Sequence, residues 1–370
     1  MVDLVNQYKK IKPEIDEAIF RVIDSGQFVL GKIVREFEEA AERYLGVKHA
    51  VGCASGTDAL QVAMMALGVQ PGDEIITTPF TFVATTETIV LLGAKPVYVD
   101  IQPKTFNIDP GQIERAITTK TKAIIPVHLY GQPADMNPIM EIARKHNLPV
   151  IEDTAQAMGS EYKGKKVGGI GTLGAVSFFP SKNLGAFGDA GMIVTNDDEL
   201  AEKMRMIIIH GSRVRYQHEL LGVNSRLDSL QAAVLNVKLK YLDTWRDARR
   251  MAAQRYNEMF KESDVVTPYE APFGKHIYHQ YTVRVKNRNN ISEYLSQQKI
   301  PHAIYYPIPL HLQKAFHRAG SPQGPFPLTQ KAADEVLSLP MHTELTEEQQ
   351  NVVTSAVHKA LELQHAATPS

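Results

Sequence analysis

A lysine that follows a strand-like segment is the residue in this sequence best placed for covalent chemistry. Lys182 stands in SFFPSKN, with Ser177 and Ser181 before it and the glycine-rich GAFGDAG after it. An exposed lysine after a strand is the ordinary alternative. A lysine held in a crevice can instead form a Schiff base, because partial burial lowers its pKa toward the free amine. Lys182 is therefore a candidate nucleophile.

A phosphate site is indicated by the segment Ser55-Gly56-Thr57-Asp58, which lies between a strand-like run and the helix-like ALQVAMMAL. A serine three positions before an acidic residue is typical of a helix start. Such a start offers free backbone amides and the positive end of the helix dipole, where phosphates bind. An ordinary helix cap would have the same sequence.

A carboxylate ends the apolar segment LPVIED. Asp153 lies at the carboxyl end of this predicted strand, the edge at which ligands bind in open α/β sheets. It is either a solvated loop residue or an acid directed into the crevice. Glu152 alternates to the other side of the strand, so the two carboxylates need not share a role.

These three features together match the needs of pyridoxal phosphate. Its phosphate requires backbone amides, its pyridine nitrogen requires a carboxylate that keeps it protonated, and its aldehyde requires a lysine. The sequence supplies all three groups at the ends of neighbouring predicted strands. It therefore predicts a pyridoxal phosphate site.

Other motifs lack the context that their chemistry requires. Gly169, Gly171 and Gly174 form a GxGxxG string, but KGKKV precedes it and the strand AVSFF follows it, so it is interpreted as a loop between strands. His276 and His279 have no third ligand at metal-site spacing and are interpreted as structural or surface residues. No metal and no GxSxG nucleophile are expected.

The elements that must position these residues alternate along the first two thirds of the chain. Strand-like runs are HAVGCAS, DEIITTP, KPVYVDI, AIIPVHL, PVIEDTA, AVSFFPS and GMIVTN. Amphipathic segments separate several of them. This alternation predicts an α/β fold with a mostly parallel, seven-stranded sheet between layers of helices. A long helix is predicted from about Ser225 to Phe260.

Two domains are predicted from the change in pattern near residue 250. Residues 1–248 would form the large cofactor-binding α/β domain, with residues 1–25 packing on the small domain. Residues 249–370, with isolated strands, helices and the proline-rich YYPIPLH, would form the smaller C-terminal α+β domain.

The composition excludes several classes of protein. With 40 basic and 41 acidic side chains, the net charge of −1 argues against a nucleic-acid partner. A single cysteine, Cys53, excludes a disulfide framework and indicates a reducing compartment. The sequence has no uninterrupted apolar run of about 18 residues, so no membrane span is expected. A soluble cytoplasmic protein is expected.

At the level of whole motifs the chain resembles the DegT/DnrJ/EryC1/StrS sugar-nucleotide aminotransferases, which are pyridoxal-phosphate enzymes of the aspartate aminotransferase fold type I. The strings SGTDAL, TPFTFVAT, IEDTAQAMG, SFFPSKNLGAFGDAG and GVNSRLDSLQAA occur in order. The similarity runs from DLVNQYKKIKPEID to LSLPMH, almost the whole chain.

The resemblance implies a role for each matching residue. Lys182 would form the Schiff base and then move protons, and Asp153 would pair with the pyridinium nitrogen. Gln156 would lie by the ring and its phenolic oxygen, and Phe82 would stack on the ring. The phosphate would be held by Gly56, Thr57, Ser177 and Asn224 of the partner subunit, which implies a homodimer with shared active sites.

On the substrate side the resemblance points to three further residues. Arg226 is either a contact to acidic groups of the substrates or a structural arginine between helix and loop. Tyr305 and Tyr306 fall in a segment that lines the substrate site in relatives, many of which have histidine in place of Tyr305.

The implied reaction transfers the amino group of L-glutamate to a nucleotide-linked keto-sugar. Several segments, YGQPAD among them, favour C3 amination of UDP-2-acetamido-2-deoxy-3-oxo-glucuronate for O-antigen or surface polysaccharide. The segment VKLKYLDTW favours a dTDP-3-keto-6-deoxyhexose instead. A regulatory or binding protein of the same fold is the remaining alternative, and the presence of Lys182 favours the enzyme.

Overall fold

Short apolar strands alternate with helices through the first two thirds of the chain. The structure, a computed structural model, describes residues 2–319 and 324–367 of the 370-residue sequence. The α-helices of this part are α1 (Leu4–Lys10), α2 (Lys12–Ser25), α3 (Lys32–Leu45), α4 (Gly56–Ala66), α5 (Val83–Leu91), α6 (Pro110–Ala116), α7 (Met136–Lys145), α8 (Asp198–Ile207), α9 (Ser229–Leu239), α10 (Leu242–Met259), α11 (Arg288–Gln297), α12 (Pro327–Glu335) and α13 (Glu347–Ala367).

The strands of the same residues are mostly three to five residues long. They are β1 (His49–Cys53), β2 (Glu74–Thr77), β3 (Lys95–Tyr98), β4 (Thr121–Ile124), β5 (Ile151–Asp153), β6 (Glu161–Tyr162), β7 (Lys165–Lys166), β8 (Leu173–Ser177), β9 (Gly191–Thr195), β10 (Ser212–Val214), β11 (Gln217–His218), β12 (Gly274–Lys275), β13 (Tyr281–Arg284) and β14 (Val336–Leu339). Each of the seven segments predicted as strands overlaps one of these, although β4 and β8 begin two residues before the predicted segments.

Two sheets carry the large N-terminal part. One has the strand order β1-β9-β8-β5 and the other β3-β2-β4. The pairs β5–β8, β2–β3 and β2–β4 are parallel, whereas β9 runs antiparallel to both neighbours. Isolated parallel bridges, Ile124 with Val150 and Val127 with Asp153, link β4 to β5. The ladder is broken there because Pro126 and Pro149 accept hydrogen bonds but cannot donate them.

Helices cover both faces of these sheets, as an α/β fold requires. On one face α4 buries Leu60 and Met64 against Ile75 and Ile193. On the other, α3 and α9 bury their apolar sides against β1, β8 and β9. Burial of strands on both faces explains their continuous apolar character. Cys53, at the end of β1, is a buried free thiol.

The long helix predicted from Ser225 to Phe260 is wrong in one respect, because the structure has two helices there. α9 ends at Leu239 and α10 begins at Leu242. Lys240 and the hydroxyl of Tyr241 both bind the carboxylate of Glu14 at this break. The ring of Tyr241 stacks on Trp245 at 5.8 Å between centroids. These side-chain contacts turn the chain at a point where the apolar periodicity continues.

The C-terminal part has its own apolar cluster. The antiparallel strands β13 and β14 pack with α10, α11 and α13, and Tyr256, Phe260 and Tyr281 are among its fully buried side chains. The N-terminal helices contact both parts of the chain. Ile15 and Val22 pack against α9, whereas Lys10 pairs with Glu344. Within the described ranges no helix combines the length and apolarity that crossing a bilayer requires.

A buried lysine ties α9 to the loop that follows Lys182. Lys238 is 2% exposed and donates a hydrogen bond to the carbonyl oxygen of Gly185. Its ammonium lies 5.3 Å from the ring centroid of Phe187 and 5.7 Å from that of Trp245. Burial lowers the pKa of Lys238 to about 8, because the interior disfavours the charged form.

This pKa predicts how stability changes with pH. The unfolded chain keeps the Lys238 proton up to its ordinary value of 10.5, whereas the folded chain loses it above about 8. The unfolded state therefore binds more protons in that window, and the free energy of unfolding rises with pH, by about 1.4 kcal/mol per unit from this group. Lys238→Met should lower the slope by that amount in denaturant titrations between pH 8 and 10. Lys240 is exposed and serves as the control, so Lys240→Met should leave the slope unchanged. An equal decrease of the slope in Lys240→Met would contradict the assignment of this pH dependence to Lys238.

Candidate active site

A cavity of about 470 Å³ opens where β5 and β8 end and α4 begins. Most residues singled out from the sequence line it together. They are Gly56, Thr57, Phe82, Asp153, Gln156, Ser177, Lys182, Tyr305 and Tyr306. Asn224 and Arg226 are not among its lining residues. The parallel pairing of β5 with β8 brings Asp153 and Ser177 to one edge, although 24 positions separate them in sequence.

The start of α4 forms one wall of the cavity. Ser55 caps the helix, and its hydroxyl accepts a hydrogen bond from the amide of Asp58 at 3.1 Å. Gly56 lies so close to the next strand end that an added Cβ would stand 2.5 Å from the Cβ of Ser177. Helix-start amides that have no intrahelical partner, with a hydroxyl opposite, can hold a phosphate.

A buried carboxylate forms the floor. Asp153 is 5% exposed, and its oxygens accept hydrogen bonds from the Thr85 hydroxyl at 2.8 Å and the Ala155 amide at 3.1 Å. Burial raises the pKa of Asp153, and these two hydrogen bonds oppose the rise. The carboxylate is thereby held in one orientation, in which it can pair with a cation at the bottom of the cavity.

Lys182 is the cation that shares this cavity. Burial lowers its pKa to about 8, and the charge of Asp153 partly opposes that shift. Its side-chain nitrogen makes no hydrogen bond with any residue that the structure describes. An amine in this setting is largely free of its proton in mildly alkaline solution and can act as a nucleophile.

Gln156 links the floor to the C-terminal part of the chain. Its side-chain oxygen accepts a hydrogen bond from the Tyr130 amide at 2.8 Å, and its nitrogen donates to the Tyr306 hydroxyl at 3.0 Å. Tyr130 in turn donates to the carbonyl oxygen of Tyr305. Phe82 is 51% exposed and lies 6.2 Å from the Tyr306 ring, between centroids. A flat aromatic group can be enclosed between these side chains.

Two predicted residues lie outside the cavity of their own chain. Asn224 is exposed and forms an isolated bridge with Ile209. Arg226 is partly buried and has neither a hydrogen bond nor an ion pair with any described residue. Arg226 therefore does not bridge helix and loop through polar contacts, which was the structural alternative for it.

The neighbour of Asp153 has a separate role that the sequence did not indicate. Glu152 is fully buried and accepts hydrogen bonds from the amides of Gly168, Ile170 and Gly171. It also lies 3.0 Å from Nε2 of His128, whose Nδ1 accepts a hydrogen bond from the Ala134 amide. Gly169 and Gly171 thus lie in a loop between strands, as predicted, whereas Gly174 lies on β8, and the loop folds around a carboxylate.

The sequence carries no signal for one further cavity residue. Both His276 and His279 are buried, and His279 lines the cavity beside Lys182. Its Nδ1 lies 2.9 Å from the side-chain oxygen of Asn183. The spacing of the two histidines excluded a metal pair but carried no signal for this contact, which joins positions 96 residues apart.

Comparison with known proteins identifies the family. The model of the DegT/DnrJ/EryC1/StrS aminotransferase family matches residues 9–358. The chain belongs to this family. It is 53% identical to the "Pleiotropic regulatory protein" of Geobacillus stearothermophilus over 360 residues, which covers 96% of this chain and 97% of that protein. It is 48% identical over 356 residues to the UDP-2-acetamido-2-deoxy-3-oxo-D-glucuronate aminotransferase of Pseudomonas aeruginosa, covering 96% and 98%.

Among solved structures, the chain is similar to S. venezuelae DesV in complex with a ketimine intermediate. The TM-score is 0.94 at 41% identity, over 97% of each chain. The resemblance inferred from five motifs is therefore confirmed, and so is the α/β fold. Aminotransferases of the DegT/DnrJ/EryC1/StrS family use pyridoxal phosphate, which confirms the predicted cofactor.

The residues present fit this cofactor. The start of α4 presents amides without intrahelical partners beside the Ser177 hydroxyl, and Gly56 lies too close to Ser177 for a side chain to stand between them. Asp153 is a buried acceptor without a cationic hydrogen-bond partner among the described residues, which suits a protonated ring nitrogen. Lys182 supplies an amine and Phe82 an exposed ring in the same cavity.

The cradle at Gly56 predicts the effect of one methyl group. Gly56→Ala would force the helix start away from Ser177, and overpacking of this kind costs about 1–3 kcal/mol. We expect pyridoxal phosphate to bind about 10- to 100-fold more weakly, measured by absorbance titration. Gly111→Ala is the control, because its Cβ would make only an ordinary contact with Asp109. Unchanged binding in Gly56→Ala would show that phosphate is held elsewhere.

Proposed function

We propose that this chain is a pyridoxal-phosphate-dependent transaminase that moves the amino group of L-glutamate to a nucleotide-linked keto-sugar. The observation that carries the proposal is the amine of Lys182, whose pKa burial lowers to about 8, in one cavity with Asp153 and the start of α4. This combination provides a nucleophile, a charge partner and a phosphate site around a space large enough for an aromatic ring.

Bound pyridoxal phosphate supplies the electron sink that makes the hydrogen on the amino-bearing carbon acidic. The chain's own residues then handle protons and orientation. With the cofactor held there, Nζ of Lys182 would take up that proton and later give it back, which its lowered pKa permits near neutral pH. Asp153, held by Thr85, would keep the ring nitrogen protonated. Gln156 would donate a hydrogen bond toward the ring's phenolic oxygen, and Phe82 would lie against the ring.

The acceptor that we propose is UDP-2-acetamido-2-deoxy-3-oxo-glucuronate, aminated at C3 for O-antigen or surface polysaccharide. The P. aeruginosa relative named for this substrate and the sequence segments that resemble such enzymes support it. A dTDP-3-keto-6-deoxyhexose is the second candidate, supported by VKLKYLDTW. The two differ in a sugar carboxylate, which Arg226, a cation without a partner among the described residues, is suited to bind. Tyr305 and Tyr306 would line the sugar site.

A homodimer with shared sites follows from the same proposal. Asn224 and Arg226 lie outside their own chain's cavity, so they would complete the cavity of the partner. Large apolar side chains remain exposed on the described surface near them, with Leu221 at 90% and Phe28 and Val29 near one half. Burying such groups against a second copy is favourable. We place the enzyme in the cytoplasm, with no membrane or nucleic-acid partner.

The finer architecture belongs to the same proposal. Through the bridges between β4 and β5, the two sheets would act as one mostly parallel sheet of seven strands, the fold type I arrangement. Residues 1–248 would form the large domain and residues 249–370 the small one. The separate apolar cluster of α10, α11, α13, β13 and β14 supports this boundary.

A regulatory role is the alternative of a different class, since the relative from G. stearothermophilus bears such a name. A binding protein would have no need for a lysine whose pKa is lowered beside a buried carboxylate. The presence of that pair in this chain favours catalysis.

The decisive experiment is the absorption spectrum of the protein with pyridoxal phosphate, before and after L-glutamate is added. The visible band should appear and then convert to the near-ultraviolet band of pyridoxamine phosphate. Return of the visible band with a UDP-linked 3-keto-uronate, but not with a dTDP-linked 3-keto-hexose, would identify the acceptor. Lys182→Ala should abolish turnover, whereas Lys163→Ala, at an exposed turn, should not. A band that ignores every donor would favour the regulatory role.

Shared sites predict a specific recovery of activity in mixed dimers. Lys182→Ala and Asn224→Ala should each have little activity alone, because each lacks one part of every site. In a symmetric dimer, a hybrid has one site with both residues intact, so co-expression should restore about one quarter of wild-type turnover. No recovery in isolated hybrid dimers would mean that each chain completes its own site.

A further inference from the structure

Asn183, directly after Lys182, is anchored to a different part of the chain. Its side chain is 6% exposed, and its oxygen lies 2.9 Å from Nδ1 of His279. Its side-chain nitrogen is buried without a partner among the described residues. On the other side of the lysine, the Lys182 amide donates to the carbonyl oxygen of Phe179 at 2.8 Å. The Asn183 contact is thus the tie that joins the lysine's loop to the C-terminal part.

The partner of Asn183 is itself rigidly held. Arg249, on α10, is 4% exposed, and its Nη1 donates to the carbonyl oxygens of Tyr278, His279 and Met341. It makes no ion pair with a carboxylate in the part of the chain that the structure describes. Because the buried guanidinium of Arg249 donates hydrogen bonds to three carbonyl oxygens, it fixes the backbone that carries His279.

The hydrogen bond also specifies the protonation of His279. Because the Asn183 oxygen can only accept, Nδ1 of His279 carries the proton and Nε2 is an acceptor. Burial, with the nearby charges of Lys182 and Arg249, holds the pKa of His279 well below its usual value. The ring is therefore neutral and adds no positive charge beside the lysine.

We propose that the Asn183–His279 hydrogen bond, backed by Arg249, is a positioning device that holds Lys182 in its buried orientation at the cofactor. The inference rests on the transaminase proposed above and adds two residues that act through the lysine. Without the hydrogen bond the loop can move outward at Asn183. Water would then reach the lysine nitrogen and stabilise its protonated form.

Several titratable groups face Lys182 from the elements around the cavity, and Asp153 is the one whose charge acts against the lowering of its pKa. Those that line it with the lysine are Asp153, Asp189, His279, Tyr305 and Tyr306, and Arg249 lies behind His279. Of these, only His279 is hydrogen-bonded to Asn183 in the loop of Lys182. A variant of His279 therefore tests the effect of this hydrogen bond on the titration of Lys182 without altering the carboxylates of the cavity.

The test is the pH titration of the visible band of the lysine-linked cofactor, which needs no turnover. The side-chain nitrogen of an asparagine lies near the position of histidine Nδ1, and that of a glutamine near Nε2. His279→Asn keeps the donor to Asn183, whereas His279→Gln and Asn183→Ala remove the hydrogen bond. We expect the midpoint to rise by about one pH unit in the latter two, a tenfold change in the proton equilibrium, and to stay in place in His279→Asn.

His276→Asn is the matched control, because His276 is buried in the same segment without contacting Asn183. An asparagine oxygen can still accept the hydrogen bond that the Tyr278 amide donates to Nδ1 of His276. Its midpoint should equal that of the wild type. An equal shift in His276→Asn, an equal shift in His279→Asn, or no shift in any variant would each overturn the positioning role. A wild-type protein that forms no visible band would overturn the transaminase proposal and this inference with it.

Discussion

The structure depends on how ionisable groups are buried at the ends of neighbouring strands. A carboxylate taken out of water costs several kcal/mol unless hydrogen bonds or charges compensate. Glu152 is compensated fully, by three amides and His128, and Asp153 only in part, by Thr85 and one amide. This difference separates their roles, because the fully compensated carboxylate of Glu152 organises a loop, whereas the partly compensated carboxylate of Asp153 can still bind a cation.

The same constraint explains the arrangement around Lys182. An amine loses its proton more easily where water is excluded, so its usefulness as a nucleophile depends on the packing of the loop that carries it. That loop is held from two sides. Lys238 binds the carbonyl oxygen of Gly185, and His279 binds the side chain of Asn183. Both anchors come from segments distant in sequence, which couples the lysine to α9 and to the C-terminal part.

Much of the candidate site could be predicted from the sequence because its chemistry resides in local patterns. The helix start at Ser55 and Gly56, the carboxylate after a strand and the lysine among hydroxyls are short-range features. The cavity brings these groups together, as predicted from strand ends that meet at one edge. The break between α9 and α10 was not predictable, since the apolar spacing continues through it and the contacts of Lys240 and Tyr241 with Glu14 join distant parts of the chain.

By itself, therefore, the sequence determined the family, the α/β class and the residue types that meet in the cavity. Periodicity and motif spacing act over a few residues, and these properties need nothing longer. Only the tertiary structure decided the protonation of those residues. The lowered pKa of Lys182, the neutral ring of His279 and the separate fates of Glu152 and Asp153 all depend on burial and on partners far away in sequence. Burial is a property of the packed chain, and no local pattern encodes it.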